Sequence, residues 1–260
     1  MNLSDFINPR SALARPDLAE QVLDGLVPAA AYLATKAWHG CGAVCDVFEG
    51  PEAGAVRISQ LLAGEVFDVL DRFGDRLWGR CRRDGEVGWI AEQDLSPGAP
   101  LATHRVASVE ADLPLNALVV SRDGDDRLAP IGDFERDPVE VAERLLGRPH
   151  APGARSSVST DCSGLVQQAL LACGLPGPRR AADQAELGHA VDRAEARRGD
   201  LVVWLSPQDA RWTGHSGLML DPDTVLHATG FHGAVVTEPF DVVEARCLAD
   251  GDQPAIFRRL

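Results

Sequence analysis

The feature that most constrains the fold is a cysteine placed at the start of a short helix. Residues 161–164 read Asp-Cys-Ser-Gly and lead directly into LVQQALLACG, whose apolar residues recur at helical spacing. Gly174 closes this pattern, as glycine commonly does at a helix C-terminus. The pattern therefore predicts that Cys162 sits at or just inside a helix N-terminus. Three buried strands are predicted downstream, at residues 199–204, 214–220 and 224–228.

Two histidines follow at positions that suit a nucleophilic cysteine. The dipole and free N–H groups of a helix N-terminus stabilise a thiolate, so we expect the pKa of Cys162 to be depressed. His215 and His227 lie on two predicted neighbouring strands, where their side chains can meet. Because a thiol needs a base and the base needs an orienting partner, His215 is the candidate base and His227 the candidate third member. Taken singly, each residue is more typical of an ordinary packed position.

The order and spacing of these residues resemble the NlpC family of cell-wall cysteine peptidases. The resembling pieces are Asp161-Cys162-Ser163-Gly164, Arg198-Gly199-Asp200-Leu201-Val202, His215-Ser216-Gly217-Leu218 and His227-Ala228. The resemblance implies an α+β, papain-like catalytic domain over residues 136–260, with the cysteine-bearing helix packed on an antiparallel sheet that bears both histidines. It implies Cys162 as nucleophile, His215 as base and His227 as third member. The implied reaction is hydrolysis of peptidoglycan stem peptides, typically between γ-D-Glu and the diamino acid.

The implied chemistry is acyl transfer through the thiol, without a metal or cofactor. The backbone N–H of Cys162 is the candidate oxyanion donor at the helix start. Asp161 and Ser163, its two chain neighbours, are the candidate residues around the nucleophile and the oxyanion. His215 is expected to protonate the leaving amine and then to activate water.

The first half of the chain has a different sequence pattern, which is typical of small β domains. Residues 1–40 read as an arm plus one helix, with Asp17 as its candidate cap. Short alternating runs separated by glycines predict a small all-β barrel over residues 41–96. Gly64-Glu65 and Gly88-Trp89-Ile90 resemble the strand start and the last hairpin of bacterial SH3-like domains.

A second, shortened SH3-like unit is predicted over residues 97–135, where β-like pieces are split by Pro114. Asp137 and Pro138 begin a helix signature that Gly147 ends. We therefore place the start of the catalytic domain at residue 136.

Charge and hydropathy narrow the classes of partner. The 260 residues include 39 Asp and Glu against 25 Lys and Arg, a formal net charge of −14. Such a surface repels phosphate backbones, which argues against nucleic acid and anionic membranes as partners. Apolar runs such as 201–205 are far shorter than the roughly 18 residues of a membrane-spanning helix. Residues 1–18 lack the pattern of a secretory signal, so we expect a cytoplasmic enzyme that acts on small soluble muropeptides, as in cell-wall recycling.

Two segments depart from the family pattern and bear on the substrate. Family members commonly carry Tyr-x-Trp-Gly-Gly before the cysteine, where this chain has His150 and Pro152. Members that trim muropeptides carry Pro-Arg-Asp-Ser after the helix, where this chain has Pro178-Arg179-Arg180-Ala181. A cation at this position would repel a substrate ammonium. The candidate substrate contacts are Glu65, Tyr32, His150, Arg180 and Asp183, and Asp161 is a further carboxylate that could meet the amine.

Three functions stay open on the sequence. The first is a cysteine endopeptidase on muropeptides, and the second is an amidase or acyltransferase that uses the same residues on another acyl substrate. The third is a non-catalytic protein that binds wall peptides. The complete cysteine–histidine set counts against the third, and the two altered segments keep the second open. The spacing of Cys41, Cys45 and Cys81 fits no common zinc pattern, so we predict no metal site.

Overall fold

The computed structural model of the chain describes residues 11–121 and 124–260, which divide into two compact units. The first unit runs through Arg105 and includes Ala117–Asp125, and the second comprises Val106–Asn116 and Asp126–Leu260. The segment 97–135, for which the sequence predicts a separate SH3-like unit, does not cluster on its own, because its residues divide between these two. Within the described residues, no helix is long and apolar enough to cross a membrane.

The first unit is built mainly of antiparallel strands around an apolar core. Its strands are β1 (Ala19–Glu20), β2 (Tyr32–Leu33), β3 (Lys36–Gly40), β4 (Val44–Phe48), β5 (Arg57–Leu62), β6 (Val66–Phe73), β7 (Arg76–Cys81), β8 (Val87–Ala91), β9 (Leu95–Pro97), the first two residues of β10 (His104–Val106), and β11 (Leu118–Val119). Seven of them form one sheet in the order β5-β4-β8-β7-β6-β3-β9. Alternate side chains such as Val47, Phe67 and Ile90 point into its core, as the period of two in a half-buried strand requires.

The helix predicted after Asp17 is wrong. Ala19–Glu20 is extended and pairs in parallel with β2, and only Gln21–Leu23 forms a single 3₁₀ turn. Asp17 forms an ion pair with Arg15 instead of capping a helix. The physical reason is tertiary, since Leu18 is anchored in a buried cluster of the first unit and the helical propensity of a short segment cannot outweigh such packing.

The second unit combines a six-stranded antiparallel sheet with helices. Its helices are α1 (Pro138–Glu143), α2 (Cys162–Ala172), α3 (Ala181–Gln184) and α4 (Phe240–Ala249). Its strands are β12 (Leu128–Pro130), β13 (His189–Val191), β14 (Leu201–Leu205), β15 (Gly214–Asp221), β16 (Thr224–Thr229), β17 (Ala234–Pro239) and β18 (Ile256–Arg259). The sheet order is β13-β18-β14-β15-β16-β17.

The sheet of the second unit is covered on both faces. On one face, Leu165 of α2 shares a buried cluster with Leu218 and Leu226 of the sheet. On the other, Val243 of α4 shares a cluster with Met219. Successive strand residues point to opposite faces, so the near-continuous apolar runs of β14 to β16 serve both helices. The predicted fold class is confirmed: the helix that bears the cysteine packs on an antiparallel sheet that bears both histidines.

The start of helix α1 follows the predicted capping. Asp137 accepts a hydrogen bond at 2.8 Å from the N–H of Val139 and caps α1. The helix itself ends at Glu143, before the predicted stop at Gly147, whose positive φ of 79° nevertheless marks a turn there. Turns at 144–147 replace the last predicted helical turn.

Candidate active site

The N-terminus of α2 is held by a buried ion pair. Asp161 caps the helix: its Oδ1 accepts from the N–H of Gly164 at 2.8 Å and its Oδ2 from the N–H of Gly153 at 2.9 Å. The buried guanidinium of Arg179 contacts both carboxylate oxygens, at 3.0 and 2.6 Å, and donates to Ser163 Oγ at 2.9 Å. A capping carboxylate with a bidentate arginine has little freedom to rotate. The position of the cysteine at the helix start is therefore fixed by residues on both sides of it.

Gly164 allows the preceding loop to pack against the first turn of α2. A Cβ atom at this position would lie 2.4 Å from the carbonyl oxygen of Ala154 and 2.8 Å from Oγ1 of Thr160. Only a residue without a side chain permits so close an approach of two backbones. The glycine of the Asp-Cys-Ser-Gly motif thus shapes the surroundings of the cysteine.

Cys162 lies against the backbone of strand β15 in a half-buried position. Its Sγ is 3.9 Å from the carbonyl oxygen of Gly214, the residue before His215. Burial, followed by the charge of Asp161, raises the pKa of the Cys162 thiol to about 11, although the N–H of Ser216 acts in the opposite direction. The depressed pKa expected from the helix start is therefore wrong, because burial outweighs the helix N-terminus.

The two histidines are brought together by neighbouring strands. Nε2 of His215 lies 2.6 Å from Nδ1 of His227, and the rings meet edge to face with centroids 4.9 Å apart. Trp204 packs beside His215 with ring centroids 5.7 Å apart. Burial, followed by the charge of His227, lowers the pKa of His215 to about 3. Burial also lowers the pKa of His227 to about 4, so both rings are neutral at pH 7.

A carboxylate that the sequence analysis missed continues this chain of hydrogen bonds. Oε2 of Glu238 lies 3.0 Å from Nε2 of His227. Arg246 contacts both oxygens of Glu238, at 3.2 and 2.6 Å, and His232 lies 3.1 Å from Oε1. Burial opposes the charge of Glu238, but the hydrogen bonds from Arg246 and His232 outweigh it and lower the pKa of Glu238 to about 2.

Sequence reasoning overlooked Glu238 because β17 and α4 were not predicted. The available signal was weak: residues 235–237 read Val-Val-Thr, a short β-branched run that follows the turn residues Gly230 and Gly233, as a neighbouring hairpin strand does. In the structure His227 pairs with Val236, and Glu238 pairs with Val225. That register puts Glu238 diagonally next to His227 on the same face of the sheet.

A cleft of about 570 Å³ opens beside the histidines. His150 and His215 lie on its wall, together with Ser206, Phe231, Arg246 and Asp252. Burial lowers the pKa of His150, which keeps this ring neutral as well. His215 lines this cleft, whereas Cys162 does not.

Two of the predicted substrate contacts lie in the first unit and have structural partners there. Glu65 is buried, accepts from the N–H of Leu62 at 2.9 Å and pairs with Arg83 at 3.0 Å. The hydroxyl of Tyr32 donates to the carbonyl oxygen of Val27 at 2.6 Å. These contacts support the local fold of the unit and give no support to the predicted substrate roles.

The other predicted contacts lie near the start of α2. Asp161 is buried and paired with Arg179, which gives no support to the suggestion that it receives a substrate ammonium. Arg180 occupies the N-cap position of α3, and Asp183 lies within that short helix. Gln184 of α3 donates to the carbonyl oxygen of Ser163 at 2.9 Å, which ties α3 to the first turn of α2. The substrate roles of Arg180 and Asp183 stay predictions.

The fold and these residues define a papain-like α+β domain with a cysteine at a helix start and two histidines on adjoining strands. Residues 147–244 match the model of the NlpC/P60 family, and residues 47–95 match the model of the bacterial dipeptidyl-peptidase SH3 domain. The chain therefore carries an NlpC/P60 domain and, earlier in the sequence, a bacterial SH3 domain.

Curated relatives match over part of their length. The chain is 38% identical over 84 residues to the peptidoglycan endopeptidase RipB of Mycobacterium tuberculosis, which covers 32% of this chain and 33% of RipB. It is 25% identical over 92 residues to the γ-D-glutamyl-L-lysine dipeptidyl-peptidase of Bacillus cereus, covering 35% of this chain and 28% of that protein. The chain thus spans about a third of the length of these relatives.

A solved structure with a similar fold matches most of the chain. It is an NlpC/P60 family protein from Bacillus cereus, with a TM-score of 0.70 at 15% identity. The likeness covers 86% of this chain and 99% of that one. At this identity the likeness shows the fold.

Proposed function

We propose that the protein is a cysteine peptidase that hydrolyses peptidoglycan stem peptides. The observation that carries the proposal is the joint placement of Cys162 at the start of α2 and of His215, hydrogen-bonded to His227, on the strand that Cys162 contacts. This is the nucleophile, base and orienting group that acyl transfer through a thiol requires. The peptidoglycan endopeptidase relatives support peptidoglycan as the source of the substrate.

The pKa values indicate how the thiol is activated. The resting pair is a neutral thiol and a neutral imidazole, since the pKa of Cys162 is raised to about 11 and that of His215 is lowered to about 3. We infer that His215 takes the proton as the sulfur–carbon bond forms. The same proton then goes to the leaving amine when the carbon–nitrogen bond breaks. His215 next accepts a proton from the water that attacks the thioester carbon, and returns it to the sulfur of Cys162 as the carbon–sulfur bond breaks.

The candidate oxyanion donor is the backbone N–H of Cys162 at the first turn of α2. In our proposal Asp161 and Ser163 act indirectly, because Arg179 links their side chains into one buried network. This network holds the helix start in place while the charge of the tetrahedral intermediate develops. The cleft beside His215 would hold the leaving-amine half of the substrate, since His215 is the proposed acid for that amine.

For the bond, we propose the linkage between γ-D-Glu and the diamino acid of short muropeptides. The named activity of the Bacillus cereus dipeptidyl-peptidase and the match of residues 47–95 to its type of SH3 domain support this bond. The net charge of −14 supports small soluble peptides over polyanionic wall, and with them a role in cytoplasmic recycling.

A second candidate function is that of an amidase or acyltransferase on another acyl substrate. The observation that favours it is Arg180, which stands at the start of α3 where muropeptide-trimming members carry an acidic residue. A cation there disfavours a substrate with a free ammonium at this position. The two functions can be distinguished by the N-terminal group of the preferred substrate, which is either a free amine or a blocked one.

The test incubates the purified chain with L-Ala-γ-D-Glu-diaminopimelate and with its N-acetylated form, and reads products by mass spectrometry. We expect cleavage after γ-D-Glu that Cys162→Ala and His215→Ala abolish. Cys173→Ala is the matched control, because Cys173 is a half-buried thiol at the other end of α2 and should leave cleavage intact. Preference for the acetylated peptide, reversed by Arg180→Asp, would assign the amine selectivity to Arg180. Alkylation of Cys162 without cleavage of either peptide would favour another acyl substrate. The absence of both alkylation of Cys162 and peptide cleavage would favour a protein that only binds wall peptides.

A further inference from the structure

Glu238 ends a hydrogen-bonded chain that begins at His215. The chain runs from Nε2 of His215 to Nδ1 of His227 over 2.6 Å, and from Nε2 of His227 to Oε2 of Glu238 over 3.0 Å. We propose that Glu238 is a positioning residue that fixes the tautomers of both histidines and thereby makes Nδ1 of His215 the basic nitrogen. The proposal deepens the cysteine-peptidase function and rests on it, since it adds a residue outside the cysteine–histidine set.

The direction of the chain follows from which groups can donate. An ionised carboxylate only accepts hydrogen bonds, so Nε2 of His227 must carry the proton that faces Glu238. A neutral imidazole has one N–H, which leaves Nδ1 of His227 with a lone pair. Nε2 of His215 must then be the donor to it. Nδ1 of His215 is consequently the nitrogen that can take a proton from the thiol.

Three hydrogen-bond donors from different elements hold the carboxylate of Glu238 in its ionised, accepting form. Arg246 of α4 approaches both oxygens, His227 approaches from β16, and His232 approaches from the turn between β16 and β17. Glu238 itself is only 9% exposed. A buried carboxylate surrounded by donors stays ionised, and the low pKa of about 2 agrees with this geometry.

Arg246 also ties this network to the cleft. Its guanidinium lies 4.7 Å from the ring centroid of the exposed Phe231, at the wall of the cleft that His215 shares. The arginine therefore orients the carboxylate from the α4 side while the histidines meet it from the sheet. The hydrogen bond at one imidazole nitrogen decides which tautomer is present. Glu238 therefore fixes the tautomer of His227, and His227 in turn fixes the tautomer of His215.

The first test reads ring tautomers by long-range ¹H–¹⁵N NMR of the full chain at pH 7, which requires no substrate. We expect the Nε2–H tautomer at both His215 and His227. Arg246→Met removes the guanidinium but keeps the carboxylate acceptor and should retain these tautomers. Glu238→Met combined with Arg246→Met removes the charges as a pair, which is often close to neutral for stability. This double variant should give mixed tautomers at His227.

The second test measures hydrolysis in a variant that retains the shape of the side chain. Glu238→Gln should lower kcat/KM about 10- to 100-fold, as loss of a group that orients a histidine typically does. The loss should fall on kcat, with KM changed by less than about twofold. Glu244→Gln is the matched control, because Glu244 is a half-buried carboxylate of α4 that accepts from the indole of Trp204 instead of from the histidines.

Each outcome bears on one claim. An Nδ1–H tautomer at either histidine of the wild-type chain, or unchanged tautomers in the double variant, would overturn the role of Glu238. Equal losses of kcat in Glu238→Gln and Glu244→Gln would also overturn it, because they would indicate a general structural effect. Failure of the wild-type chain to cleave any peptide, with the expected tautomers present, would refute the proposed function and leave the assignment of the tautomers standing.

Discussion

Removing the guanidinium of Arg179 should destabilise the second unit through the carboxylate it leaves behind. Arg179 is 3% exposed and Asp161 8%, and two contacts of 3.0 and 2.6 Å join them. Breaking a buried pair by removing one partner costs about 3–5 kcal/mol, because the remaining charge is desolvated and unpaired. Asp161 keeps its hydrogen bonds from the N–H groups of Gly153 and Gly164, which offset part of this cost. We therefore expect Arg179→Met to cost about 3 kcal/mol, at the lower end of that range.

The assay is differential scanning calorimetry of the full chain at pH 7. A loss of about 3 kcal/mol should lower the Tm of the second unit by roughly 6–12 °C, at about 2–4 °C per kcal/mol for a domain of this size. Arg144→Met is the control, because Arg144 pairs with Glu135 in a half-exposed position where an ion pair contributes less than about 1 kcal/mol.

The variant has a second readout at Cys162. The charge of Asp161 raises the pKa of the Cys162 thiol and that of Arg179 lowers it, so the thiol of Arg179→Met should be less acidic and alkylated more slowly at pH 8. A Tm within 2 °C of the wild type, or faster alkylation, would refute this account of the helix start.

Three further results are expected. Gly164→Ala should cost about 1–3 kcal/mol in urea unfolding, because its Cβ would lie 2.4 Å from a backbone oxygen; Gly42→Ala, with its nearest contact at 3.7 Å, is the control and should cost less. Alkylation of Cys162 by iodoacetamide should accelerate about tenfold per pH unit between roughly pH 7 and 9, since its thiol pKa is about 11, and a flat rate would contradict this. The folded pKa values of His215 and His227, about 3 and 4, lie below the ordinary 6.5, so the unfolded chain binds more protons and stability is lost as pH falls from 6.5 towards 4. The slope should reach up to about 1.4 kcal/mol per pH unit for each ring, and urea midpoints that stay constant from pH 7 to 5 would contradict it.

The parts of the fold that the sequence predicts well are those with strong local signals. The helix start at Cys162 has a capping aspartate and an apolar face, and α2 begins at that residue. The segments with His215 and His227 each contain a short apolar run and are separated by turn residues, and they form β15 and β16. In these segments local propensity, capping and burial all favour the same structure.

The N-terminal arm was mispredicted because its apolar spacing has another cause. Leu18 is buried in a cluster with Trp78 and Trp89, whereas Val22, one turn further along a helix, is 71% exposed. The residues therefore never shared a helix face. Contacts with distant strands decide such a segment, and a periodic pattern of four leucines and valines does not report them.

The pKa of Cys162 illustrates a different reason why sequence can mispredict a site. A helix N-terminus lowers the pKa of a thiol by an amount that depends on how much water remains around it. At Cys162 the sulfur lies against the backbone of β15, and desolvation there outweighs the helix. The sequence shows where the helix begins but not what packs against its first residue. Consequently, it could place Cys162 at the helix start and still reverse the direction of its pKa shift.

The adjacent residues Arg179 and Arg180, which follow α2, have different environments that the sequence does not distinguish. Arg179 is buried and pairs with Asp161, whereas Arg180 occupies the N-cap position of the short helix α3 and is half-buried. Arg179 neutralises the carboxylate of Asp161, which could otherwise have replaced the missing acidic group as a partner for a substrate amine. A substrate ammonium near this point would therefore meet a cation and an already neutralised carboxylate. On the proposed function, the ion pair that fixes the start of α2 therefore favours a substrate whose group at that position is not a free amine.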